Sequence, residues 1–459
     1  MRLNELLLAR FGGGREPAAQ PQRTQAVLAR AERRRRSRRW GLLASADFRR
    51  LWMIGIVAFA VRWLEMLVVG VFVYQHTGSA FDVALMTMLR MLPMALFGAF
   101  IGAFAERIER RTALIAVVLS MLATSLCLAA LAYAGQLAVW HLAIASFVNG
   151  IAWAADNPVR RVMIGEVVGS AQMSAAMSVD VGANNASRML GPTIGGLLLA
   201  GMGISGAFTV SVLCYGIALI AAIRLRHRNS IAPIAADGVV LARMIEGLRL
   251  VRRDPKLIGT LVITVIYNVF GWPFTSMIPV IGQDNLQLGA GGIGILASMD
   301  GIGAFCGALL IAFFARPVHY ARLYIAGVVG YLVTLIVFAL VPNVPLAGAA
   351  LLLTGLTSSA FSVMQATLIY LAAPPDMRSR MYGVLSVCIG VGPLGFLCLG
   401  LLADAIGAPT ATALTGLLGL LALGLTRALV EPGRPAAIAT CPRAPAYFGC
   451  AGTPHPFRR

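Results

Sequence analysis

Five ionisable side chains stand well inside long apolar stretches of this 459-residue chain, away from their ends: Arg62, Glu65, Arg90, Arg188 and Asp300. A charge at the centre of a bilayer costs about 2.5–3.5 kcal/mol on insertion scales, so each of the five needs a partner or a task. Two chemistries suit them: proton carriage by a carboxyl, and recognition of a charged ligand by a guanidinium. A carboxyl in low dielectric favours its neutral form, and one opened in turn to two aqueous sides can load and release a proton. On charge alone Asp300 is the better carrier, because its own stretch holds no other acid or base. Glu65 has two cations within reach, Arg90 and Arg62, the latter one helical turn earlier on the same face. It is read either as a second proton-coupling residue or as half of a static ion pair. Arg90 keeps its charge permanently and is assigned to orienting its neighbours. Arg188 either binds an anionic substrate or locks helices together.

Other chemistries do not fit the residues present. Lys256 is the only lysine and Leu257 follows it, so no Walker A loop exists to grip nucleotide phosphates. The five histidines are scattered without ligand spacing, and the seven cysteines show no pairing pattern. The reading is of a chain without metal, without cofactor and without enzymatic activity.

The elements that must position the five charges follow from composition. Hydrophobic residues make up 58% and charged residues 12%, against roughly 45–50% and 25% in soluble proteins, and mean hydropathy is +0.80. Crossing a hydrocarbon core takes about 20 apolar residues in a helix. Twelve runs qualify: 51–74, 82–105, 112–134, 138–155, 179–201, 206–223, 257–281, 292–315, 322–341, 346–370, 381–403 and 409–430. Of the 38 basic residues, 35 fall in alternate connecting segments beginning with the N-terminal one, counting Arg322 and Arg427 at the adjoining ends of their runs; the other three are Arg62, Arg90 and Arg188. Basic residues are retained on the cytoplasmic side, so both termini are expected there. The run Arg33 to Arg36 is read as a topology signal that also meets anionic lipid headgroups, not as a nucleic-acid site. The proline-rich tail is expected to be disordered.

The chain also repeats itself. Gly98-Ala-Phe-Ile-Gly102-Ala recurs as Gly303-Ala-Phe-Cys-Gly307-Ala in the second run of each half, and a similar offset pairs Asn157 with Gln365. The expected organisation is a basic segment 1–47, a six-helix bundle 48–223, a linker 224–256, a second bundle 257–430 and a tail 431–459. Repeated halves place a substrate site between them near the bilayer midplane. Asn149, Asn184, Asn185, Asn268, Gln365 and Tyr267 could bind a ligand there or join helices, and Trp63, Trp153 and Trp272 are candidates to line the cavity.

Gly102-Ala-Phe-Ala-Glu106-Arg107-Ile-Glu109-Arg110-Arg111 is similar to the first cytoplasmic loop motif of the major facilitator superfamily, with Glu106 for Asp and Glu109 for Gly. Gly191-Pro192-Thr-Ile-Gly195-Gly196 resembles the Gly-Pro-x-x-Gly-Gly motif of its antiporters. The resemblance runs from about Phe48 to Val430. Leu89-Arg90-Met-Leu-Pro93, Asp156-Asn157-Pro158-Val-Arg160 and the segment Glu246 to Pro255 look like the bacterial exporters that include enterobactin and macrolide efflux proteins. Val61-Arg62-Trp63-Leu64 departs from that branch's Gly-Asp-Trp-Leu, putting a base where the branch has an acid. The resemblance implies an all-α membrane protein of twelve transmembrane helices in two pseudo-symmetric six-helix bundles. It also implies a monomer in the bacterial inner membrane that exports an amphipathic small molecule, drug-like or a siderophore, by alternating access with proton antiport. Glu106 is assigned to a latch against the positive helix end near Met381. Uptake, an uncoupled facilitator, and a sensor or scaffold on the same fold are the alternatives.

Overall fold

The computed structural model describes residue 42 and residues 44–105, 109–169, 172–227, 254–373 and 378–426. Every regular element among them is a helix. In chain order these are α1 (Ala46–Thr77), α2 (Ala80–Ala105), α3 (Arg110–Tyr133), α4 (Val139–Val168) and α5 (Met173–Ile223). They are followed by α6 (Pro255–Ile266), α7 (Ile278–Asp284), α8 (Ala290–Phe314), α9 (Tyr320–Leu340), α10 (Val344–Ala372), α11 (Arg378–Ile389), α12 (Gly392–Ile406) and α13 (Ala408–Leu425).

Local chemistry sets the ends and breaks. Ser45 caps α1 by accepting from the Phe48 amide, with Asp47 in the first turn where the helix dipole favours a carboxylate. Asp47 also accepts the backbone amides of Arg226 and His227, tying the start of α1 to the end of α5. Gly203, at φ 67°, divides α5 into residues 173–202 and 204–223, a turn that a side chain would strain. Between α6 and α7 the helix continues as a π turn over Tyr267–Gly271 and a 3-10 turn over Trp272–Met277. Pro273 and Pro279 lack the amide protons a regular ladder needs, which accounts for the irregular winding. A second interruption separates α11 from α12, where Pro393 opens the new helix.

Among the described residues, ten helical stretches are long and apolar enough to cross a membrane. They cover eleven of the twelve predicted runs, because the stretch Ala175–Ile223 holds two. The run predicted at 138–155 lies in α4, which continues through Asp156, Arg160 and Arg161 to Val168. Large apolar side chains such as Leu126, Leu213, Phe313 and Leu340 are exposed on the outer surfaces, as a lipid-facing bundle requires. Within the bundles small residues set the spacing: a Cβ on Gly307 of α8 would sit 2.7 Å from the Leu356 carbonyl of α10. The surroundings of Gly98 and Gly102 in α2 lie outside the described residues.

The two halves meet along α5 with α8, α2 with α12, and α1 with α7. They close at the face where α1 ends and α2 begins. There the Tyr74 hydroxyl donates to Asp284, the Ser79 hydroxyl to Asp404 at 2.8 Å, and the Phe81 amide to the other Asp404 oxygen at 3.1 Å. Toward the opposite face each half has an apolar core of its own, one around Phe48, Leu114 and Ile164 and one around Leu257, Ile369 and Met381.

Candidate functional site

Between the halves lies a cavity of about 280 Å³. The N-terminal half contributes Arg62, Trp63, Met66, Thr87, Arg90, Trp153, Asn184 and Arg188, and the C-terminal half Tyr267, Asn268, Trp272, Thr275, Ser358, Phe361 and Gln365. Apolar and aromatic walls with a few convergent polar groups are what a small-molecule site requires. Tyr267, Asn268, Trp272 and Thr275 come from the π and 3-10 turns, so the irregular winding supplies much of the C-terminal wall. That wall is braced from behind. Tyr267 shares a hydrogen bond with Ser358 at 3.0 Å and stacks on Phe361, while Gln365 donates to the Thr264 hydroxyl at 2.8 Å. A recess of about 40 Å³ continues past Trp63 and Arg188 toward Pro279, with Asp300 on its wall.

Asp300 is not a lone acid. Arg188 Nε and Nη2 donate to its Oδ2 at 3.0 and 2.6 Å, and Oδ1 is buried without a partner. The stretch that holds Asp300 has no other acid or base, and the partner comes instead from α5, across the divide. The pair joins the two halves at the cavity edge.

Glu65 is buried within the N-terminal half. It accepts from the Ser125 hydroxyl at 2.9 Å and from the Asn149 amide at 3.4 Å, and Arg90 Nη2 lies 3.8 Å away. The four residues tie α1, α2, α3 and α4 together. Arg62, the other partner that spacing allowed, does not join them. It donates to Asn184 Oδ1 at 2.8 Å and stands 4.7 Å from the Trp153 ring centre and 5.3 Å from that of Phe59. Among the described residues Arg62 forms no ion pair.

Sequence reasoning missed a second buried charge network. Arg160 is wholly enclosed, with Nε 3.2 Å from Asp156 Oδ2 and Nη1 on Asp180, while Arg161 Nε lies 3.3 Å from the other Asp180 oxygen. Ending the fourth run at residue 155 put these arginines in a loop. The i, i+4 spacing of Asp156 and Arg160 was the available signal that the helix continues.

The glycine motif is a packing device. A Cβ on Gly191 would lie 2.7 Å from Trp63 Cβ, and one on Gly195 would lie 2.8 Å from the Leu64 carbonyl, so both seat α5 on α1. Gly196 faces Ala290 and Gly294 of α8, and Pro192 borders the recess. Of the loop motif, Gly102 lies in α2, while Glu106 and Arg107, and with Glu106 the latch, lie outside the described residues. Arg110 pairs with Glu166 at the end of α4, and Arg111 donates to the Ile223 carbonyl at 2.7 Å, an interaction suited to the negative end of α5. Among the described residues no cluster of His, Cys, Asp or Glu could hold a metal ion.

Two helical bundles with a polar, aromatic cavity between them define a multi-pass membrane transporter of the major facilitator fold. The chain belongs to the transmembrane secretion effector family, whose model matches residues 37–440. It is similar to the multidrug efflux pump Tap of Mycolicibacterium fortuitum, 28% identical over 77% of this chain and 86% of that protein. The macrolide efflux protein A of Streptococcus pyogenes is 22% identical over 78% and 90% of the two chains. The staphyloferrin A transporter of Staphylococcus aureus is 20% identical over 76% and 87%. Among solved structures, a bacterial homologue of the human lysosomal transporter Spinster superposes with a TM-score of 0.68 over 84% of this chain and 96% of that one, at 16% identity, which speaks to the fold alone.

Proposed function

We propose that this protein is a secondary active exporter that moves an amphipathic small molecule outward by alternating access, in exchange for protons. It acts as a monomer in the bacterial cytoplasmic membrane with both termini inside. The observation that carries the reading is the Arg188–Asp300 pair, which joins the halves at the edge of the cavity. Relatives named for multidrug and macrolide efflux support export of a small molecule.

Substrate bound from the inside drives the halves to rock, which breaks the Arg188–Asp300 pair and separates Tyr74 from Asp284 and Asp404 from the start of α2, opening the cavity to the outside. There Asp300, freed of Arg188, takes up a proton from the outer water as the substrate leaves. After the halves rock back, loss of that proton to the inner water restores the pair and resets the transporter. Glu65, held by Ser125, Asn149 and Arg90, positions α1 and contributes to coupling through that scaffold. Glu106 acts as the inner latch.

The test is transport in proteoliposomes with and without an imposed pH gradient, using candidate siderophores and antibiotics. Asp300→Asn keeps the shape and removes the titration. It should abolish uphill accumulation and preserve counterflow exchange. If Asp300→Asn still accumulates substrate on a pH gradient, Asp300 is not the carrier. If Glu65→Gln also stays coupled, proton exchange is the wrong mechanism.

A further inference from the structure

We propose that the cavity takes an amphipathic anion, with Arg62 as the group that receives its negative charge. The proposal rests on the transporter reading of the same site and adds the chemical class of the substrate. The ionisable side chains in and beside the cavity are Arg62, Arg90, Arg160 and Arg188 against Glu65, Asp156, Asp180 and Asp300, with the exposed Arg161 also on Asp180. Every carboxylate in that set is already engaged by a guanidinium other than Arg62. Because Arg160 takes both Asp156 and Asp180, Arg62 is left without a carboxylate, and its polar partner is a neutral amide, Asn184. Asp156 borders a small recess shared with Arg62 and Arg90, but its oxygens face Arg160.

A guanidinium has five donors in a planar fork. The guanidinium carbon lies over the Trp153 ring, and the bond to Asn184 uses Nη2, so other N–H groups face an incoming oxyanion. No acidic residue is among the described residues lining the main cavity, so a cationic ligand would find no counter-charge there. Trp63, Trp272 and Phe361 offer flat apolar surface for the rest of the molecule. The cavity is too small for a two-chain lipid, which points to a compact monoanion carrying an aromatic or apolar body.

Three probes that share a ring system and differ in charge test this: 2-naphthoate, 2-naphthalenemethanol and 2-naphthylmethylammonium. Binding is measured by equilibrium dialysis against the full-length protein in lipid nanodiscs, with empty nanodiscs subtracted. Naphthoate should bind about tenfold or more tighter than either of the others, the scale of a charge-assisted hydrogen bond in a buried site. Arg62→Gln should bring naphthoate to the level at which the alcohol binds the same variant. Equal or tighter binding of the ammonium probe, binding of none of the three, or an anion preference that survives Arg62→Gln in a folded variant each overturns the proposal. Should Arg62→Gln fail to fold, the three-way comparison on the native protein decides. The transporter reading fails separately: anion-selective binding without translocation refutes transport alone, and uphill transport of cations without anion preference refutes this proposal alone.

Discussion

Replacing Arg188 by Met keeps an apolar stem of similar reach and removes the donors on Asp300. The two side chains are 19% and 7% exposed, so the pair is buried but borders the cavity. Removing one member of a buried ion pair costs about 3–5 kcal/mol, because the other charge is left uncompensated. The partly wet arginine and the already unpartnered Oδ1 of Asp300 place the expected loss near the lower end, about 3 kcal/mol, or roughly a hundredfold in the unfolding equilibrium. Asp300→Asn costs less, since an amide oxygen still accepts from Arg188. In the double variant the losses are not additive, and the coupling energy should exceed about 1 kcal/mol for residues in direct contact. Unfolding by SDS in mixed micelles, followed by tryptophan fluorescence, gives all four corners of the cycle. A loss under about 0.5 kcal/mol for Arg188→Met, or strict additivity, would mean that the pair contributes nothing to holding the halves, and the coupling mechanism built on it would fall with it.

Gly195→Ala should destabilise by about 1–3 kcal/mol through overpacking on α1, while Gly201→Ala, with nothing within 4 Å of the added methyl, should be neutral or slightly stabilising; the same denaturation measurement compares them. Asp404→Ala removes the acceptor of two hydrogen bonds across the closed face, so the population open at that face should rise severalfold, read as a longer spin-label distance between Gly78→Cys and Asn285→Cys by pulsed electron resonance. An unchanged distance distribution would show that the Asp404 contacts do not hold the closure. In a cysteine-free background, Gly78→Cys and Asn285→Cys should react with a membrane-impermeant reagent in intact cells and Arg224→Cys should not; the reverse pattern would invert the topology.

The helices and the two-bundle arrangement were legible in the sequence because lipid imposes length and composition on every crossing, and because a run of about 20 apolar residues has few other uses. Of the side-chain contacts between helices, the sequence offered Glu65 with Arg90, which the structure makes at 3.8 Å; the others were not legible. Arg62 and Glu65 share a helical face by spacing, yet the structure sends Arg62 to Asn184, 122 residues away, and gives Glu65 to Ser125, Asn149 and Arg90. Spacing fixes which side chains could meet. The packing of α1 against α3, α4 and α5 decides which do, and that packing depends on Gly191 and Gly195 admitting the α1 backbone. Arg188 and Asp300 carry the same lesson across the two halves: 112 residues separate them, and no local pattern links them. Their meeting needs Gly301 of α8 to approach the Arg188 carbonyl, where an added Cβ would lie at 2.6 Å. The motif glycines, read as a family signature, thus act on the chemistry at one remove. They bring the backbones close enough for the buried charges to pair, and once Glu65, Asp156, Asp180 and Asp300 are each paired, the odd arginine is left facing the cavity.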